Sequence, residues 1–301
     1  MNGKKLLALC CAAILLLSAT ACGTAANSNE TDSEAVAAAL AKLEDCTSCT
    51  ALQITERGET VTDSGITYEY TGTSTLDIIL VSDPEFKMMT ETRTTTLFDG
   101  EETSQHVISY ILPEDGGYRE YYFDGTAWYY VFTEDMGAVP VIHVSDIAGM
   151  FVLEGLSFRK AKTETLDSGK AVRYDAALAG DELAAYLYNS GYLDSITSMS
   201  ENQQKKICEN LAKDLDALVI SIWVDSASGY PVQFHLDMTD TLNGIETSIS
   251  KTLGDPASET QWIVTRNAMT MILGDFNAVD DITVPAEALD ALPYDTTGYT
   301  Y

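Results

Sequence analysis

The sequence predicts an α+β domain in which an antiparallel meander of strands is followed by helices and further hairpins. Apolar and polar residues alternate over roughly ninety residues after the first helix, which is typical of half-buried strands. Turn dipeptides such as Asp99-Gly100 and Asp124-Gly125 separate these strands. Apolar residues spaced by three and four in Glu201 to Leu218 indicate a helix in the second half.

The composition narrows the class of protein. The chain has 301 residues, of which 46% are hydrophobic and 21% charged, so it can bury a globular core. Forty-six acidic residues against 17 basic ones give a formal net charge of −29. Because such a chain repels phosphate backbones, we expect no nucleic-acid partner.

The N-terminus resembles a bacterial lipoprotein signal. Lys4 and Lys5 precede an uncharged run from Leu6 to Leu17, which as a helix would rise only about 18 Å and not cross a bilayer. Small residues then lead into Cys22. We predict a signal peptide over residues 1–21, acylation of Cys22 and a flexible tether over 22–33. A plain signal peptide cut before Cys22 is the alternative.

The predicted processing sets the location of the protein. The removed segment carries two lysines and no acid, so the mature charge becomes −31. A body this acidic is repelled by anionic head groups, so its membrane partner would be reached through the N-terminal acyl chains. We expect an extracytoplasmic, lipid-anchored monomer.

Three cysteines remain in the body: Cys46, Cys49 and Cys208. The pair Cys46 and Cys49 has the spacing of a redox motif, but it follows a helix instead of opening one, so a catalytic role is disfavoured. A local disulfide and two half-buried thiols both remain open. Since no second cysteine pair or nearby histidine supplies further ligands, we expect no metal and no cofactor.

The elements of the body follow from these patterns in chain order. Thr31 and Glu34 fit a capping box at the start of a helix over Glu34 to Asp45. The meander then runs from Ile66 to Phe132. The later predicted elements are a short helix from Ser145 to Leu153, a hairpin over 158–178, helices over 181–188 and 201–218, a hairpin over 220–239, a helix over 241–253 and strands over 261–273 and 281–284.

Three segments resemble one family. They are the hairpin from Tyr122 to Tyr130, the turn from Trp223 to Val232 and the tail from Asp275 to Pro285. Together with the lipoprotein signal, they are similar to uncharacterised bacterial lipoproteins with a LolA/LppX-like fold. The resemblance implies one domain over residues 34–301, built as a strongly curved antiparallel sheet. This incomplete barrel would hold its helices on the concave side.

The resemblance also implies a function. Characterised relatives hold acyl chains between sheet and helices, so we expect a non-enzymatic protein that binds a lipid or another apolar ligand there. The alternative is an envelope interaction or sensing module that uses the same fold as a docking surface without a ligand. The residues expected to line the cavity are Ile207, Leu211, Trp223, Phe234 and Leu236.

No catalytic motif accompanies these features. His106, His143 and His235 are the three histidines, and the chain has no nucleophile elbow and no His-Glu-x-x-His helix. An aromatic cluster has three interpretations: sheet packing, a pocket lining, or an exposed platform for sugars. Its members are Tyr118, Tyr121, Tyr122, Trp128, Tyr129 and Tyr130.

Overall fold

The computed structural model describes residues 30–134, 142–149, 151, 156–189, 200–215, 217–253 and 260–294, and the predicted signal peptide and Cys22 lie outside them. Six helices occur in this part of the chain: α1 Glu30–Glu44, α2 Val144–Gly149, α3 Gly180–Asn189, α4 Glu201–Asp214, α5 Thr239–Leu253 and α6 Ala286–Leu289. The strands are β1 Ser48–Asp63, β2 Ile66–Val81, β3 Lys87–Phe98, β4 Glu101–Glu114, β5 Gly117–Phe123, β6 Trp128–Thr133, β7 Phe158–Leu166, β8 Gly169–Leu178, β9 Leu218–Asp225, β10 Pro231–Asp237, β11 Thr260–Gly274 and β12 Leu292–Pro293.

All twelve strands form one sheet in the order β12-β6-β5-β4-β3-β2-β1-β11-β10-β9-β8-β7. The predicted meander is confirmed, because β1 to β6 pair in chain order and every pair is antiparallel. The short strand β12 adds a parallel pair to β6. The two ends of the strand order, β12 and β7, do not pair with each other, so the sheet is not closed. The predicted α+β class is therefore confirmed.

One row of cross-strand partners defines the inner face of the sheet. From β4 to β8 it runs through Val107, Thr92, Leu76, Gln53, Met271, Phe234, Ile222 and Tyr174. Met271, Phe234 and Ile222 have no exposed surface, whereas Val107, Thr92 and Leu76 are half-buried. The inner face is thus closed over β8–β11 and more open over β2–β4.

The helices account for this difference in burial. α1 packs against β7, β9 and β10, α5 packs against β11, and α4 lies between α3 and α5. At the other end of the sheet, α6 contacts β5 and β6. The helices α1 and α5 therefore cover the strands from β7 to β11, whereas α6 lies against β5 and β6.

The long strands bend toward the inner face. Along the outer halves of β2 and β3, inward-facing residues such as Tyr70 and Thr94 are half-buried, while their neighbours Thr71 and Thr95 are exposed. A flat sheet with two free faces would bury both sets equally. The alternation indicates that the concave side is the side that carries the helices.

Three predicted boundaries were wrong. α1 begins at Glu30, inside the predicted tether, because Asp32 and Ser33 accept backbone hydrogen bonds from β7 and fix the first turn. The predicted helix from Glu201 to Leu218 ends at Asp214, and Leu218 opens β9 as the partner of Leu178. The segment 281–284 forms no strand, although the helical turn expected after it is present as α6.

No helix in the described ranges is both long and apolar enough to pass through a bilayer.

Replacing Phe234 by Ala should destabilise the protein by about 3–5 kcal/mol, because the ring is fully buried and stacks on Phe151. The matched change Phe132→Ala removes an exposed ring on β6 and should cost less than about 1 kcal/mol. Urea unfolding of both variants measures the difference. Equal decreases in the free energy of unfolding of the two variants would contradict the closed inner face over β8–β11.

Candidate functional site

The predicted lining residues lie on both faces of the sheet. Ile207 and Leu211 come from α4, and Phe234 and Leu236 come from β10, all on the inner face. Trp223 lies on the outer face, so its assignment to the lining was wrong. In β9 the inward residues are Leu218, Ile220 and Ile222, and a strand places each neighbour on the opposite side.

Trp223 belongs to a polar cluster on the outer face. Its indole N–H donates to the carboxylate of Glu164, and the Arg173 guanidinium lies 5.3 Å from its ring centre. Hydrogen bonds from Lys162 and Trp223 lower the pKa of Glu164. Trp223 therefore helps to hold the outer face together.

A bulge in β10 divides its apolar residues between the two faces. Regular alternation would place Val232 and Phe234 on one face, but the register with β9 shifts between Pro231 and Gln233. Val232 packs with Trp223 in a small outer cluster instead. A bulge reverses the face of every residue on one side of it, and the alternation alone does not reveal it.

The inner lining residues form a closed core. Ile207 and Phe234 are 0% exposed and Leu211 is 1% exposed. A side chain without accessible surface borders no space that would admit a water molecule, so these three residues do not line an open cavity. Leu236 is partly buried against the same core.

The open part of the inner face lies on β2–β4, beyond the strands that α1 and α5 cover, and is here called the trough. It consists of half-buried residues that face inward from β2, β3 and β4: Ser74, Leu76, Thr92, Thr94, Val107 and Ser109.

The hydroxyl groups of the trough are partly satisfied within the sheet. Ser74 and Thr94 share a hydrogen bond of 3.0 Å, and Ser109 donates to Glu120 at 2.8 Å. The aliphatic groups of Leu76 and Val107 lie in the same rows. The surface can therefore contact an apolar chain and still offer a few hydroxyl groups to a polar head.

The cysteine pair lies at the entry to β1 and is separate from the trough. Cys46 and Cys49 are free buried thiols, and the Cys46 Sγ donates to the carbonyl of Ser48 at 3.0 Å. Burial, with a smaller contribution from Cys46, raises the pKa of Cys49 to about 12. A thiol with this pKa is almost entirely protonated near neutral pH, so it is a poor nucleophile.

The late turn and the tail named in the resemblance meet in the structure. The ring of Tyr230 stacks on that of Phe276, with 4.2 Å between the ring centres. Asn277 accepts two hydrogen bonds from Thr47 and donates one to the Tyr230 hydroxyl. The two segments therefore join β1, the β9–β10 hairpin and the end of β11, which is a structural role.

The predicted aromatic cluster is also divided between the faces. Tyr118 is buried in the core, and Tyr122 and Tyr129 face inward. The outward members form an aromatic patch on the three strands β4–β6. This patch consists of Tyr110, Tyr121, Phe123, Trp128 and Tyr130.

An open cleft of about 340 Å³ lies on the outer face at the hairpin tips. It is lined by Thr67, Glu69, Thr71, Leu97, Asp99 and Gly100. It lies far along the strands from the helices and does not correspond to the predicted site. Among the described residues, no group of three or more His, Cys, Asp or Glu side chains is placed to hold a metal ion.

No protein-family model matches this chain, and no curated protein matches it. The crystal structure of LprF from Mycobacterium bovis is similar over 88% of this chain and 99% of that one, with 12% identity and a TM-score of 0.37. An outer membrane lipoprotein-sorting protein domain from Vibrio parahaemolyticus is similar over 82% of this chain and 88% of its own, with 9% identity and a TM-score of 0.18. A DUF1329 family protein from Desulfovibrio piger is similar over 86% of this chain and 96% of its own, with 6% identity and a TM-score of 0.19.

The fold class itself rests on the strand order and on the burial of the inner face described above.

The chain from residue 22 with Cys22→Ser should show three thiols toward Ellman's reagent in urea at pH 8. Without urea, Cys49 should react more slowly than an exposed thiol by a factor on the order of 1,000, because its raised pKa leaves little thiolate and burial blocks access. The time course of colour release measures the number of reactive thiols and the rate at which each reacts. Rapid reaction of two thiols without urea would contradict the burial, and a single thiol in urea would indicate a disulfide between Cys46 and Cys49.

Proposed function

We propose that this protein is an extracytoplasmic, lipid-anchored binding protein without catalytic activity, and that it holds a lipid or another apolar ligand in the trough. The observation that carries the proposal is the half-buried inner face of β2–β4 beside the closed core. The closed core over β8–β11 then serves as the rigid support of the site.

The trough has a chemistry that suits an amphipathic ligand. Burial of apolar surface contributes about 25 cal/mol per Å², so a ligand that covered about 200 Å² of it would gain about 5 kcal/mol. Leu76 and Val107 supply aliphatic surface, and the hydroxyls of Thr92 and Thr94 lie in the same rows. A long acyl chain with a polar head meets both requirements.

The anchoring part of the proposal is supported by the sequence. The signal over residues 1–21 and the following Cys22 have the pattern of an acylated lipoprotein. The first described helix begins at Glu30, so a short segment joins the body to the anchor. The mass of Cys22-containing peptides from membrane fractions would establish whether the cysteine is acylated.

The absence of catalysis is supported by where the histidines lie. His106 hydrogen bonds to Glu91 and His235 to Thr270, both on the outer face. The hydroxyls of the trough therefore have neither of these rings within reach as a general base.

The aromatic patch favours the second candidate function, a docking module. Phe123 and Trp128 lie 5.3 Å apart by ring centre, and the Arg119 guanidinium lies 4.7 Å above Tyr130. These side chains are only half-buried on the outer face, and aromatic residues with arginine are common in protein interfaces. A partner captured by crosslinking and lost on Trp128→Ala would favour this function.

Titration with a fluorescent fatty acid tests the trough. Val107→Glu places a charge on the inner face and should weaken binding by at least about tenfold, since a buried unpaired carboxylate opposes an apolar ligand. Ile108→Glu is the matched control, because Ile108 is the neighbour of Val107 on the same strand and faces outward, so this change should leave binding unchanged. Saturable binding that both variants lose equally, or no saturable binding at all, would contradict the proposal.

A further inference from the structure

The edge strand β7 carries a concentration of basic side chains that is unusual for this acidic protein. Arg159, Lys160 and Lys162 lie within its first five residues and are all exposed, and Glu164 is the one carboxylate of the strand. We call these three basic residues the basic edge. β7 is the last strand in the sheet order, so its side chains stand at a border of the body.

The basic edge lies where the anchored end of the chain enters the body. The Phe158 N–H donates to the Ser33 hydroxyl at 3.0 Å, and the Lys160 N–H donates to the Asp32 carboxylate at 2.9 Å. These bonds fix the first turn of α1 on β7. From Cys22 to Glu30 the chain can span at most about 29 Å, so an anchor at Cys22 keeps β7 close to the membrane.

We propose that the basic edge is the part of the anchored body that faces the membrane, where Arg159, Lys160 and Lys162 contact the phosphates of anionic phospholipids. The inference rests on the proposed anchoring and adds an orientation and a ligand class to it. The dominant charge of the body does not prevent this contact. At physiological ionic strength electrostatic interactions are screened within about 8 Å, so the nearest charges decide the attraction.

The carboxylates beside the basic edge take part in contacts within the protein. Glu164 pairs with Lys162, and Asp32 accepts the Lys160 N–H. The pair of Lys162 and Glu164 is partly exposed, and surface ion pairs are weak, so a headgroup phosphate can compete with it.

A different role for the same charges is protection of a sheet border against pairing with another strand. That role requires no lipid and predicts no dependence on lipid charge. The two roles are therefore separated by an experiment that varies only the vesicle surface.

Lysine footprinting on vesicles tests the orientation. The chain from residue 22 is ligated through its N-terminal cysteine to an acyl thioester and bound to phosphatidylcholine vesicles, with or without phosphatidylglycerol. Acetylation of Lys160 and Lys162 should slow at least about threefold when phosphatidylglycerol is present. Lys205 and Lys206 are exposed on α4 and should react at the same rate on both vesicles.

Two variants test whether charge causes the protection. Arg159→Gln should reduce the protection of Lys162, whereas Arg93→Gln, which removes an exposed arginine from β3, should not. Equal acetylation on both vesicles, or equal slowing at all four lysines, would overturn the proposal. Because the anchor is attached chemically, this result does not depend on natural acylation, which the mass of Cys22 peptides tests separately.

Discussion

The structure depends on how one continuous inner face is covered. Twelve strands in a single sheet present their inward side chains to the same side, and those that are apolar must be removed from water. Over β8–β11 the helices α1, α4 and α5 achieve this, and side chains such as Phe234 and Ile207 are fully buried. The same buried core continues to Leu80 on β2 and Tyr118 on β5.

The division of the sheet into a closed half and an open half also separates stability from function. Closed cores resist the entry of a ligand, because every added atom must displace a well-packed one. The trough lies beside the closed core, so a ligand in the proposed site would not disturb that core. The turn and tail segments around Tyr230 and Phe276 tie the closed half together at the start of β1.

The alternation of apolar residues was enough to predict the meander, and the spacing in α4 was enough to predict most of that helix. The end of α4 was missed because Leu218 continues the helical spacing, although it pairs with Leu178 as the first residue of β9. Local periodicity cannot distinguish these two uses of a leucine. The start of α1 depends on bonds from β7, more than a hundred residues away, and has no local signal.

The site was harder to predict than the fold, because it depends on which face of each strand is covered. Trp223 was assigned to the lining. It follows the inward-facing Ile222 in β9, so its side chain lies on the outer face. The inner face of β3 carries threonines at every second position from Thr90 to Thr96, a regularity visible in the sequence. That regularity does not show that the inward set is left uncovered, since the covers come from distant helices.

Hydroxyl-radical footprinting of the ligand-free protein distinguishes an open trough from a fully covered inner face, because it reports the exposure of individual side chains. We expect Leu76 and Val107 to be oxidised readily, whereas Phe234 and Met271 should be protected despite their high intrinsic reactivity. If Leu76 and Val107 were as strongly protected as Phe234, the inner face would be covered throughout, and the trough would not exist.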